Sequence, residues 1–155
     1  MTVTILVAVV ASVVLDALLD DVRIWGVAED RVVGVGPGVE LAVTYPAVAR
    51  PGLAAPLRLE VVRDGGFTAD IELAVPTSYL RIWDENGLYP TPKEWRSEGD
   101  RVVLVFDPPR GGKRFTFFYD ARIEPAVQRG RDGYVAVLEG GEPAVIVRFR
   151  TRVLP

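Results

Sequence analysis

From residue 38 onward, apolar and polar side chains alternate in short runs. VELAVTY puts Val39, Leu41, Val43 and Tyr45 on one face, with Glu40 and Thr44 opposite. LRLEVVR repeats the pattern with Leu57, Leu59 and Val61, and IELAV with Ile71, Leu73 and Val75. Side chains that alternate with a period of two mark half-buried β-strands. RVVLVF, RFTFFYDARI, YVAVL and AVIVRFRTRV bring the expected strands to about seven. Between and around them stand GVGPG at 34–38, ARPG at 49–52, RDGG at 63–66, DPPRGG at 107–112, GRDG at 130–133 and EGGEP at 139–143, read as turns. Strands recurring every 8–12 residues or so between turns predict an all-β antiparallel sandwich or barrel. One helical turn is expected within TSYLRIW at 77–83, capped by Thr77 or Ser78.

The first residues differ. Val3 to Leu19 is apolar apart from Thr4, Ser12 and Asp16. As a helix it rises about 25 Å, and extension toward Val22 approaches the ~30 Å of a bilayer core. A transmembrane anchor over 3–21 is the favoured reading, followed by a stalk or edge hairpin over 22–37 and a sandwich over 38–155. Within 22–37, VRIWGV and RVVGV form a candidate edge pair. A cleaved signal peptide lacks its basic n-region here, and a buried helix or β-branched strand is the remaining alternative. Arg23 and Arg31 follow the segment and no base precedes it, so charge alone leans toward a cytoplasmic domain. Two arginines among five acids retain weakly, and the soluble part is expected outside the membrane. The missing basic flank suggests a start codon upstream of Met1.

Composition narrows the chemistry. The chain has neither Cys nor His, which removes disulfides, Cys/His zinc sites, thiol nucleophiles and His-assisted triads. A net charge of -3 argues against a nucleic-acid partner. Sixteen of the 18 basic residues are Arg, read as codon composition of a GC-rich genome with an adhesive role as the alternative.

Few groupings point to binding. GVGPG lacks the Lys and Ser/Thr of a phosphate loop. DENGL at 84–88 gathers oxygen ligands beside a glycine without calcium-loop spacing, and an Asn-Gly turn explains it equally. Trp83, Asp84, Tyr89 and Trp95 define a candidate recognition loop; the competing reading has Trp83 and Trp95 plugging the end of the sandwich. Arg148, Arg150 and Arg152 share one strand face. They are read either as a strip for anionic headgroups or as a solvated face paired with acids such as Asp120 and Glu124. No catalytic residue, cofactor or metal site is expected.

VELAVTYPAVARPGLAAPL, DENGLYPTP, FDPPRGG, DARIEPAVQRGRDG and the closing TRVLP resemble segments of a family of uncharacterised actinobacterial membrane-anchored proteins. The resemblance implies an N-terminal transmembrane helix, an immunoglobulin-like sandwich outside the membrane, and a complex with a small multi-pass membrane protein. It carries no catalytic or binding residues. The functional expectation is a non-enzymatic interaction module at the cell membrane. The alternative is a binder of envelope polysaccharide or lipid using the Trp83–Trp95 loop.

Overall fold

Alternation sends one side of each strand inward, and pairing decides which strands share a layer. The structure is a computed structural model that describes residues 27–155. These form ten strands: β1 (Ala28–Gly36), β2 (Val39–Ala49), β3 (Leu57–Arg63), β4 (Ile71–Pro76), β5 (Trp83–Tyr89), β6 (Glu94–Glu98), β7 (Arg101–Phe106), β8 (Arg114–Ile123), β9 (Arg131–Glu139) and β10 (Glu142–Val153). One helical turn, α1 (Thr77–Leu80), joins β4 to β5. The candidate anchor over 3–21 lies outside the described residues, among which no helix is long and apolar enough to cross a membrane.

The strands run β1-β2-β3-β8-β5 in one layer and β10-β9-β4-β7-β6 in the other. The layers join where Val48 and Ala49 pair in parallel with Arg152 and Val153, so the whole is a single curled, sandwich-like sheet. The expected alternation forms its core. Leu41, Val43, Leu59, Val61, Phe117 and Ile123 face Leu73, Val75, Phe106, Val135 and Val137, all almost fully buried. A second apolar group, Ala74, Val103, Val105, Ala136 and Leu138, occupies the alternate positions of β4, β7 and β9. Glu72 and Arg96, ion-paired at 3.2 Å, stand in register with it.

Ten strands replace the expected seven: RVVGV, a candidate edge strand, forms part of β1, and the edge strands β5 and β6 escape pattern reading. DENGL reads as a turn, yet Asp84 to Leu88 belong to β5, at the outer edge of the first layer. An edge strand buries little, and a bulge between Glu85 and Gly87 takes up the turn-forming Asn86. β6 is likewise a charged edge strand. The described part of 22–37 is mostly β1, which pairs along its length with β2, while VRIWGV lies almost wholly outside the described residues. GRDG is not a turn: Arg131 to Gly133 open β9. Helix α1 is capped by neither Thr77 nor Ser78. Pro76 takes the N-cap position and makes no side-chain hydrogen bond.

The lower end of the sandwich is closed by Tyr79 of α1, which is fully buried. Its hydroxyl and Thr151 Oγ1 are 2.8 Å apart, and its ring meets Trp83 and Phe149 edge-on. Burial drives the pKa of Tyr79 well above the ordinary value for tyrosine. Burial does the same for Tyr119, helped by the charges of Glu85 and Asp84. A folded-state pKa above the unfolded value gives stability that is complete below pH ~10 and is lost as pH rises toward the folded pKa. Unfolding free energy should therefore hold up to about pH 9 and then fall, by up to about 1.4 kcal/mol per pH unit for each tyrosine. Denaturant titrations of Tyr79→Phe and Tyr119→Phe should show a shallower alkaline slope. A slope unchanged in both rules this account out.

Candidate functional site

RFTFFYDARI positions the most conspicuous surface feature. Its inward set is Phe115, Phe117, Tyr119, Ala121 and Ile123, all buried. Phe118 therefore faces outward from β8, an apolar ring at a solvent position. In register across the layer stand Tyr89 of β5, Phe118 of β8, Arg58 of β3, Thr44 of β2 and Arg31 of β1. The Tyr89 ring lies 6.4 Å from that of Phe118, tilted by 32°, and Tyr89 is 60% exposed. The Arg58 guanidinium sits 5.4 Å from the Phe118 centroid, a cation-π contact. One row further along, Glu60 pairs with Arg31 at 3.5 Å and with Arg114 at 2.5 Å.

The ridge Tyr89–Phe118–Arg58 thus has an exposed aromatic end, a half-buried centre and a cationic end, carried on three hydrogen-bonded strands. It can stack on a flat or apolar group and orient an acidic one.

The predicted recognition residues do not form one loop. Trp83 starts β5 but points into the core, 8% exposed, packed edge-on against Tyr79 and Tyr119. Its Nε1 is buried without a hydrogen-bond partner among the described residues. Trp95 lies on β6, at the edge of the other layer, 44% exposed. Asp84 is taken up by Arg122 at 2.6 Å. Tyr89 alone of the four reaches the ridge. Among the described residues no group of three or more acids is placed to hold a metal.

Arg148, Arg150 and Arg152 do share an exposed face of β10, with Val147, Phe149 and Thr151 buried between them. Their acidic neighbour is not Asp120 or Glu124, because β10 pairs with β9 and not with β8. Arg150 pairs with Asp132 across the ladder at 3.0 Å, an exposed contact worth well under ~1 kcal/mol.

Phe118 and Arg58 escaped the sequence reading, although the signal was present: Phe118 is the apolar residue that breaks the alternation of RFTFFYDARI. Arg58 has no such mark, since only cross-strand register brings it to Phe118.

A groove of about 620 Å³ at the upper end is lined by Arg63, Phe67, Asp70, Glu72, Arg96 and Glu139 among others. Its charges are matched within the chain, through Arg63–Glu139 at 2.6 Å, Arg96–Glu72 at 3.2 Å and Lys93–Asp70 at 2.7 Å. No family model matches the chain, and no curated protein matches it.

Proposed function

We propose that the chain is a membrane-tethered, extracytoplasmic and non-enzymatic module that docks on a neighbouring multi-pass membrane protein through the Tyr89–Phe118–Arg58 ridge. The exposed aromatic–cation row, on a sheet face where Arg31 and Arg114 pair with Glu60 and Arg122 with Asp84, carries this reading. Interfaces concentrate their energy in aromatic and arginine anchors of this kind.

An immunoglobulin-like assignment fits the strand order. The rows β2-β3-β8-β5 and β10-β9-β4 have the four-plus-three arrangement of that sandwich, and β1, β6 and β7 are additions. The tether is the apolar run over 3–21, and the resemblance to actinobacterial membrane-anchored proteins supplies the topology.

The test is copurification of the full chain from detergent-solubilised membranes. Tyr89→Ser with Phe118→Ser should lose a stoichiometric membrane partner, at least tenfold in yield, while the unfolding midpoint moves by only a few degrees. Full retention of the partner removes the ridge from the function. No stoichiometric membrane partner for the unmodified chain removes the docking role itself.

The exposed Tyr89 ring also favours a second reading, stacking on sugar rings of envelope polysaccharide. The buried Trp83 takes no part in it. Retention of the chain by isolated cell-wall glycan, lost in the same double variant, separates this reading from the first.

A further inference from the structure

The free arginines are not spread evenly over the described surface. Elsewhere Arg31, Arg63, Arg96, Arg101, Arg114, Arg122 and Lys93 pair with acids, while Arg50, Arg110, Lys113 and Arg148, without partners among the described residues, do not line this groove. At the lower end, α1 and the connection between β8 and β9 flank a groove of about 560 Å³. Arg81, Arg129 and Arg131 line it together with Ser78 and Gln128. All three arginines are exposed, and none has an ion-pair or hydrogen-bond partner for its side chain among the described residues. Arg152 is likewise exposed at this end but lies on the opposite face of β10, because Arg131 is in register with Thr151, whose side chain points inward. Residues 76–83, 124–132 and 150–155 carry five arginines (81, 129, 131, 150, 152) against Glu124 and Asp132. Asp100, whose carbonyl accepts the Thr77 amide, and Glu29 and Asp30 at the start of β1 bring the acids at this end to five, Asp30 accepting from the Tyr45 hydroxyl at 3.3 Å. Asp132 is already taken by Arg150.

This is also the end at which the described chain begins. Val48 is partnered by Ala28 on one side and Arg152 on the other, which puts them two strand spacings, about 10 Å, apart. Five residues, 22–26, separate the apolar run over 3–21 from Val27, and they span at most about 18 Å. A tether that short holds this end, and not the ridge or the upper groove, against the membrane surface. The tether residues Asp20, Asp21 and Arg23 sum to −1, so attraction to anionic lipid has to come from the domain.

We infer that the groove of Arg81, Arg129 and Arg131 is a seat for the phosphate of anionic lipid headgroups, fixing the tilt of the domain on the membrane. The inference rests on the membrane tether proposed above. Guanidinium groups donate several hydrogen bonds to one phosphate, and basic residues near an anionic surface are attracted over about a Debye length.

The chain has no cysteine, so Ser78→Cys gives a unique labelling site in the groove, and Thr68→Cys one at the upper end. The full chain is reconstituted into vesicles of phosphatidylcholine, or of phosphatidylcholine and phosphatidylglycerol at roughly 7:3. A fluorophore on each cysteine is read against a quencher attached to the lipid headgroups. Quenching at Ser78→Cys should rise at least twofold in the anionic vesicles and stay flat at Thr68→Cys. Arg81→Gln, Arg129→Gln and Arg131→Gln together, or about 0.5 M salt, should return it to the neutral-vesicle level.

Equal quenching in both vesicle types, with the chain floating alongside the vesicles, overturns the headgroup seat and leaves the tether intact. Failure to float with neutral vesicles, with arginine-dependent flotation on anionic ones, removes the tether and keeps the seat. Loss of the anionic response on adding millimolar inorganic phosphate at constant ionic strength assigns the groove to free phosphate and overturns the membrane role.

Discussion

Replacing Tyr79 by alanine is expected to lower the unfolding free energy by about 4–6 kcal/mol. Three effects act together. The fully buried ring is lost along with its edge contacts to Trp83 at 5.6 Å and Phe149 at 5.3 Å. The cavity cannot collapse from the Gly133 side, where no side chain exists to fill it; a Cβ there would lie 2.8 Å from the Tyr79 ring. Thr151, the only polar residue among the described residues that is fully buried, loses its hydroxyl partner. A single turn such as α1 has no stability of its own and depends on this side chain to stay docked. Since a domain of this size holds only some 5–15 kcal/mol in total, Tyr79→Ala should be close to unfolding at 37 °C. Tyr79→Phe keeps the ring and should lose only about 1–2 kcal/mol. Denaturant unfolding of both variants decides the matter, and a loss below about 2 kcal/mol for Tyr79→Ala defeats this view of the lower end.

The second large effect is expected at the other closure of the sandwich. Gly34 and Gly36 fall on the inward face of β1, in register with Leu41 and Val39. A Cβ on Gly34 would lie 2.6 Å from Val147 Cγ1, and one on Gly36 would run into the carbonyl of Ala144. Side chains can swing aside, but Ala144 is a bulge residue of β10 held between two residues paired with β9, Pro143 to Leu138 and Val145 to Val137. Gly36→Val should therefore push β1 off β10 and cost about 2–3 kcal/mol through overpacking. Amide exchange should show where: protection over 32–36 drops on the order of 100-fold, while β3 and β9 stay protected. Val33→Ala, at a half-exposed outward position, serves as the control with little change. Unaltered protection in β1 of Gly36→Val would falsify the close approach.

These two sites show where sequence reading runs out. The glycines of β1 read as turn chemistry, and Gly34 and Gly36 stand beside a real turn at Pro37–Gly38, where Gly38 has φ 68°. Their role in the strand depends on β10, more than a hundred residues away. Tyr79 read as part of a helical turn, with nothing local to say that it plugs the core. The candidate ridge is partly legible in the sequence: Tyr89 stands among the candidate recognition residues and Phe118 breaks the alternation of its strand, whereas Arg58 joins them through register alone. Trp83 and Trp95 are close in sequence, and a change of layer between β5 and β6 separates them in space.

By itself, the sequence determined an all-β chain with alternating inner and outer faces, the main turns, and the absence of cysteine and histidine chemistry. These are local or compositional properties, set by side-chain periodicity and backbone preference. Only the tertiary structure decided which strands became edges, that the two layers join through Val48 and Arg152, and which arginines found acids. Among the described residues it left Arg81, Arg129 and Arg131 without partners, at the end where the described chain begins. The reason is physical: pairing register and ion pairing are set by contacts between distant segments, and no periodicity within one strand encodes them.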